Sequence, residues 1–492
     1  MTQKIKQMTE TRMFFKPVGI GIVLVFGFQL NLEAQKPLNI LIIQTDEHNP
    51  KMFGAAGDPV AITPNIDKLA RQGVLFTNAY CQNPICVPSR MSMLTGKYSQ
   101  TIKVYGNGDP LTMDFKTFAD YFNMKGYKSA IIGKMHFQGK GDELKHGFER
   151  PFGDNGSEII SDKWEKQQMD KIGQTPLNDR NPKVARVNDY PMEVNKDGGI
   201  VPNAKTFLNK NKENPFLLIC SFIRPHFPYE VSEKYYEMYK GKGRLPIDFD
   251  SDKKNWPVSS QLENSKYQFD QLTKEEIIRA REIYYGMITW VDDQIGLILD
   301  ELDRQGLKEN TLIIYTSDHG ELAGEHGLWY KNSFYDGSVA IPFIFSYPKL
   351  FRGNQISKSV TGNIDIFPTI CDAAGIQKPD GLEGKSLWPV LTGRELGNNR
   401  YIFSENYRGG ISGCMVRDQR WKYFVYKPCE ENKFTKEVYL FDMLNDPDEM
   451  HNLANRPELK SIIENLEKRI NWWKPDMKIN TKGKIKYSIK NR

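Results

Sequence analysis

Cys86-Val87-Pro88-Ser89-Arg90, followed by Leu94-Thr95-Gly96, is the stretch of this chain whose residue types could do chemistry. Pro88 suits the first turn of a helix, where its missing N–H has no helical partner to lose. Cys86 then lies just ahead of a helix N-terminus, where free N–H groups and the dipole favour an anion. Arg90, one turn further, brings a fixed charge with forked donors. A sulfur nucleophile beside an anion cradle follows from these features. Two more segments carry metal-competent groups, Asp46-Glu47 and Asp318-His319, each at the end of an apolar run. A carboxylate-dominated set of this kind fits a hard cation, calcium better than zinc. A lone cysteine is commonly a small buried hydrophobe, and Ser-Asp-His-Gly alone could be an ordinary turn. The three together, at matching places in one pattern, point to a site.

The hydrophobic pattern supplies the elements that must position them. Residues 38–45 form a near-continuous apolar run, the mark of a strand buried on both faces, and it ends in Asp46-Glu47-His48. Open α/β sheets bind ligands at that carboxyl edge. A helix is expected over 64–72, with Thr63 as its N-cap, Pro64 at its start and Gly73 as its C′ residue. A strand over 74–79 then leads to the Cys86 segment. Residues 117–124 read as helix, and 127–132 as a strand ending in Gly133-Lys134-Met135-His136. Residues 215–222 are a buried strand that runs into Arg224-Pro225-His226-Phe227-Pro228. Apolar positions recur at helical spacing over 274–304, closed by Gly306. Asp292 and Asp293 within that helix read as a solvated face or a cap partner, not as ligands. Residues 311–316 are the next buried strand, ending in Ser317-Asp318-His319-Gly320, followed by a pocket segment over 325–331 and a strand over 341–346.

Strands alternating with helices imply an α/β fold, a large, mainly parallel sheet covered on both faces. The polar span over 139–202 is a long insertion of the kind that shapes pockets. From about residue 391 the texture changes to short antiparallel strands over 400–403, 413–416, 421–426 and 438–442. Asp446-Pro447-Asp448-Glu449 and a helix over 457–472 complete a smaller C-terminal α+β subdomain. The expected division is 1–34, 35–395 and 396–492.

Residues 1–34 read as a signal peptide. Lys4, Lys6, Arg12 and Lys16 precede an apolar run over 18–30, with a small residue at Ala34. The run is short for a membrane span, and no cysteine follows it to carry a lipid. The protein is therefore expected to be periplasmic or secreted, with no stable membrane insertion after cleavage. Cleavage lowers the formal charge from +6 to +4, compatible with a polyanionic substrate and no argument for nucleic acid. The basic tail from Lys474 to Arg492 reads as a solvated terminus. Six cysteines (81, 86, 220, 371, 414 and 429) show no metal-type spacing, and export permits disulfides.

The Cys-x-Pro-Ser-Arg and Leu-Thr-Gly stretch resembles the signature of type I sulfatases, of alkaline phosphatase-like fold. In that family the cysteine is oxidised to formylglycine by a maturation enzyme, which here implies formylglycine from Cys86 and a formylglycine-generating partner. The resemblance extends along the chain: Asp46-Glu47 match the acidic pair on the first strand, Lys134 and His136 the Gly-Lys-x-His segment, and His226 the His-x-Pro segment. Asp318-His319 match Ser-Asp-Asn/His-Gly, Lys331 the lysine that follows, and Asp446-Pro447-x-Glu449-x-x-Asn452-Leu453 the C-terminal subdomain. Glu47 departs from the aspartate of many members. The implied metal set is Asp46, Glu47, Cys86, Asp318 and His319 around Ca2+. The implied catalytic set is Cys86, Arg90, Lys134, His136, His226 and Lys331. Residue 86, as the aldehyde hydrate, attacks sulfur; His226 or Lys331 protonates the leaving alcohol, and His136 deprotonates the remaining hydroxyl to release sulfate. The expected substrate is a sulfated carbohydrate, a glycosaminoglycan or algal polysaccharide fragment. Alternatives are a choline-sulfatase-like enzyme, a phosphonate or phosphate monoester hydrolase, and an inactive sulfatase-like glycan binder.

Overall fold

The computed structural model describes residues 36–138, 145–149, 181–189, 191–249, 256–397, 400–408, 410–428 and 435–474. The signal-peptide reading, most of the insertion, Cys429 and the tail beyond Lys474 lie outside them. The described residues from Pro37 onward belong to one compact unit.

Apolar runs become strands wherever both faces can be covered. Through the first unit of the fold these are β1 (Asn39–Asp46), β2 (Gly73–Tyr80), β3 (Lys128–Gly133), β4 (Arg186–Asn188), β5 (Phe216–Pro225), β6 (Glu230–Ser232), β7 (Thr311–Ser317), β8 (Phe343–Ser346) and β9 (Gln355–Gly362). Seven of them form one sheet in the order β3-β5-β1-β7-β8-β2-β9, while β4 and β6 pair separately. Only β8 runs antiparallel to its neighbours in the main sheet. Every residue of β1 and of β7 is buried. Parallel pairing of β1 with both β5 and β7 aligns Thr45 with Ser317 and Asp46 with Pro225. Three carboxyl ends thus meet at one rim, as expected for this class of sheet.

The helix Lys274–Arg304 matches the periodic pattern end to end, with Thr273 and Glu276 forming a capping box. Asp292 within it is a cap partner: its carboxylate accepts the N–H of Asn65 and of Ile66 at the start of α1 (Pro64–Arg71). Asp293 instead accepts the Tyr235 hydroxyl. Thr63 is the N-cap residue, as expected, but makes no side-chain cap bond; its hydroxyl accepts the Gly54 N–H and donates to Asp67. Gly73 follows the C-cap residue Gln72, as expected, but without the left-handed backbone of a helix-ending glycine. It opens β2, where a Cβ would lie 1.9 Å from the Phe345 carbonyl oxygen, so the sheet neighbour demands that glycine.

The C-terminal sheet comprises β10 (Ile402–Arg408), β11 (Ile411–Arg417), β12 (Trp421–Pro428) and β13 (Glu437–Asp442), all antiparallel in chain order. The helix Lys460–Trp473 packs beside it, stacking Trp473 on Phe403. Cys81, Cys86, Cys220, Cys371 and Cys414 are all buried and free. No helix among the described residues is long and apolar enough to cross a membrane.

Candidate active site

Cys86 opens α2 (Cys86–Thr95), a helix in which every residue is buried, with Ile85 in extended backbone as its N-cap. Cys86 is therefore the first helical residue, and Pro88 the third. The amides beside it are largely taken: Val87 N–H donates to Asn107 Oδ1, Pro88 has none, and Ser89 N–H closes on Ile85 O. The positive field at the sulfur comes mainly from side chains. Lys331 Nζ lies 3.5 Å from Sγ and His319 Nε2 3.3 Å from it, while Asp46 Oδ1 stands at 3.9 Å.

Arg90 spreads its guanidinium beneath the site. Nε donates to Asp318 Oδ2 at 2.8 Å and Nη2 to Asp46 Oδ2 at 2.7 Å. Nη1 reaches the Lys134 carbonyl at 2.7 Å, Ser221 Oγ at 2.8 Å and Gln44 Oε1 at 3.3 Å. All three nitrogens are engaged, and the side chain is fully buried. Lys134 Nζ lies 2.5 Å from Asp46 Oδ2, and Lys331 Nζ 3.0 Å from Glu47 Oε2. His226 Nε2 lies 3.3 Å from Glu47 Oε2.

The histidines are oriented by carbonyls. His319 Nδ1 faces Gly320 O at 3.0 Å and His226 Nδ1 faces Phe227 O at 2.6 Å, so each Nδ1 is the donor, and each Nε2 is turned inward. Among the described residues, His136 makes no hydrogen bond or ion pair with this cluster; it is half-buried, with a buried and unpartnered Nδ1. The structure thus brings together Asp46, Glu47, Cys86, Arg90, Lys134, His226, Asp318, His319 and Lys331, and leaves His136 outside these contacts.

Burial alone would raise the Asp46 carboxyl, but Lys134, His226, Arg90 and Lys331 outweigh it and hold it well below the usual range. Burial pushes Glu47 well above that range, against Lys331 and with help from Glu321 and Asp46. For the Cys86 thiol, burial and Asp46 oppose ionisation, yet Lys331, Lys134 and His319 bring it well below an ordinary thiol. Burial, then Lys331 and Lys134, hold His226 at about 4, so it is neutral at pH 7. Burial disfavours the Lys331 charge, but Cys86, Glu47 and Asp46 raise it and keep it protonated.

Asp46, Cys86, Asp318 and His319 offer ligand atoms within 4.8 Å of one another. Asp46, Glu47 and His226 form a second such group, so Glu47 does not share one set with Asp318. Glu47 Oε1 is buried without a partner, an acceptor that a cation would satisfy. The oxygen-rich donors fit a hard divalent ion. Ser221 and Asn107 also belong to the site, and no local signal marks either. Gln44 does carry one, as a polar residue within an otherwise apolar run.

Residues 38–376 match the Sulfatase family, and residues 324–475 match the family described as N-sulphoglucosamine sulphohydrolase, C-terminal. The chain belongs to the sulfatase family. It is a sulfuric ester hydrolase. The choline-sulfatase of Rhizobium meliloti is 30% identical over 453 residues, spanning 85% of this chain and 83% of that protein. The ulvan-active sulfatase of Formosa agariphila is 31% identical over 451 residues, spanning 89% and 81%. Among solved structures, a 2-O GAG sulfatase superposes with a TM-score of 0.71 at 26% identity, covering 89% of this chain and 92% of that one. The sulfatase neighbours share the alkaline phosphatase-like fold, with its mostly parallel sheet and four-stranded C-terminal sheet.

Proposed function

We propose that this sulfatase is exported, is matured at Cys86 to formylglycine, and removes sulfate from a sulfated saccharide with calcium bound at Asp46, Asp318 and His319. The observation that carries the reading is the Cys86 side chain, buried among Lys331, His319 and Asp46 at the rim where three strands end. The thiol stands where the aldehyde hydrate oxygens would be. That hydrate would supply a hydroxyl for attack on sulfur and a second through which sulfate is later expelled. Calcium would supply polarisation of the sulfate oxygens.

The chain's own residues divide the remaining work. Lys134 and Lys331 bind sulfate oxygens and oppose the charge that develops on them. Lys331 holds a proton at neutral pH and is assigned as donor to the leaving alkoxide, with the neutral His226 orienting that oxygen. We assign His136, whose Nδ1 has no partner, the deprotonation that the family resemblance implies. Arg90, with its nitrogens already engaged, holds Asp46 and Asp318 apart and in place. Glu47 Oε2 accepts from Lys331 and aims its ammonium at the site. The catalytic domain would span 35–395 and the C-terminal subdomain 396–492. Relatives whose names concern ulvan and glycosaminoglycan support the saccharide class.

Expression with a formylglycine-generating enzyme, followed by the mass of the peptide containing residue 86, tests maturation. An intact thiol under those conditions would favour a glycan-binding protein without catalysis. Cys86→Ala should abolish turnover and leave the melting transition in place; residual turnover near the parent rate would defeat the nucleophile assignment. A panel of sulfated oligosaccharides, choline sulfate and an aryl phosphonate ranks the substrate classes. A stronger preference for choline sulfate or phosphonate would overturn the saccharide reading.

A further inference from the structure

Lys331 is delivered by backbone that cannot hold itself. Tyr330 and Asn332, on either side of it, sit in the left-handed region at φ 67° and 73°. Non-glycine residues stay there only where their surroundings over-determine the chain. On the N-terminal side Glu321 does part of this, accepting the N–H of Ala323 and of Tyr330. The anchor on the other side comes from the C-terminal sheet and the turn that follows it.

Glu449, after β13, accepts the Asp336 N–H at 2.6 Å. Lys422, on β12, contacts Asp336 Oδ1 at 2.6 Å and Glu449 Oε1 at 2.5 Å. Lys422 and Glu449 are both buried. Asp448, the preceding residue of the turn, accepts from Lys51 at 2.9 Å, and the same ammonium lies 3.7 Å from Glu325 in the Lys331 segment. Glu325 also accepts from Asn49, three residues past Asp46. One turn therefore grips both the segment that carries Lys331 and the loop that follows Asp46. A buried ion pair adds little net stability over apolar packing, whereas its directed, charge-assisted bonds set geometry.

We infer that Glu449 and Lys422 are positioning residues, through which the C-terminal sheet holds Lys331 against Glu47 and residue 86. This rests on the reading of Lys331 as a sulfate-binding group.

The test is a double-mutant cycle on the matured enzyme with an aryl sulfate. Glu449→Gln keeps an acceptor for the Asp336 N–H but removes the charge facing Lys422. It should lower kcat about tenfold with KM nearly unchanged and with a cooperative melt retained. In the Lys331→Ala background the same substitution should cost less than twofold, because the group it positions is gone. Equal losses in both backgrounds would mark a merely structural role and overturn the proposal. An unchanged kcat in Lys331→Ala alone would overturn it differently, by removing the role of Lys331 itself. Should Glu449→Gln not fold, Asp336→Asn enters the same cycle with the same expected non-additivity.

Discussion

Replacing Arg90 with lysine keeps a charge beneath the site but removes the fork that holds it together. The guanidinium bonds Asp46, Asp318, the Lys134 carbonyl, Ser221 and Gln44 at once. An ammonium has three donors around one point and cannot span both carboxylates. One carboxylate then loses a charge-assisted bond, about 1.5–3 kcal/mol, and one buried acceptor is orphaned at about 1–3 kcal/mol. Together these destabilise the fold by roughly 2.5–6 kcal/mol. For a compact unit of roughly 450 residues, the unfolding entropy makes each kcal/mol worth about 1 °C. Arg90→Lys should therefore melt about 2.5–6 °C below the parent enzyme in a thermal scan at pH 7. A melting temperature within 1 °C of the parent would refute the reasoning, since it would mean that the two carboxylates do not depend on the guanidinium.

Two further outcomes test the scaffold. Asp292→Ala removes the carboxylate that accepts the Asn65 and Ile66 amides and should cost about 2–4 kcal/mol in urea unfolding; a loss below 1 kcal/mol would mean that α1 is capped in another way. His326 is held at about 3 by burial, then by Lys51 and Lys422. The unfolded chain takes up that proton near pH 6.5 and the folded chain does not, so this contribution is full above pH 6.5 and drains as pH falls towards 3. His326→Asn, which tolerates the left-handed φ of 54° there, should flatten the stability decline between pH 6.5 and 4.5 by about 2–3 kcal/mol. Parallel declines in urea midpoints for the two proteins would exclude His326 as a source of acid sensitivity.

Much of the architecture is legible before folding because its signals are local. β1, β5 and β7 are apolar runs long enough to be read singly, and Lys274–Arg304 is marked by its apolar spacing and by Gly306 just past its end. β9 escapes notice because its first four residues, Gln355 to Lys358, lie half-exposed at the edge of the sheet, so the run looks like a loop. The positions of Thr63 and Gly73 at the two ends of α1 were legible, but their roles were not: the Thr63 hydroxyl turns to Asp67 one turn along the same helix, and Gly73 is required by the Phe345 carbonyl across the sheet.

The sequence itself pointed to the cysteine ahead of Arg90 and to the carboxylates at strand ends, and the family resemblance added Lys134, His226 and Lys331; Ser221 and Asn107 joined them only in the fold. Folding decided which of their donors remain free. Arg90 has its nitrogens engaged by partners as distant as Asp318, 228 residues along the chain, Val87 gives its amide to Asn107, and Lys331 stays open towards residue 86 at the rim of the sheet. A sequence records how many bonds a side chain can make. Only proximity across the fold allots them, because each bond excludes the others.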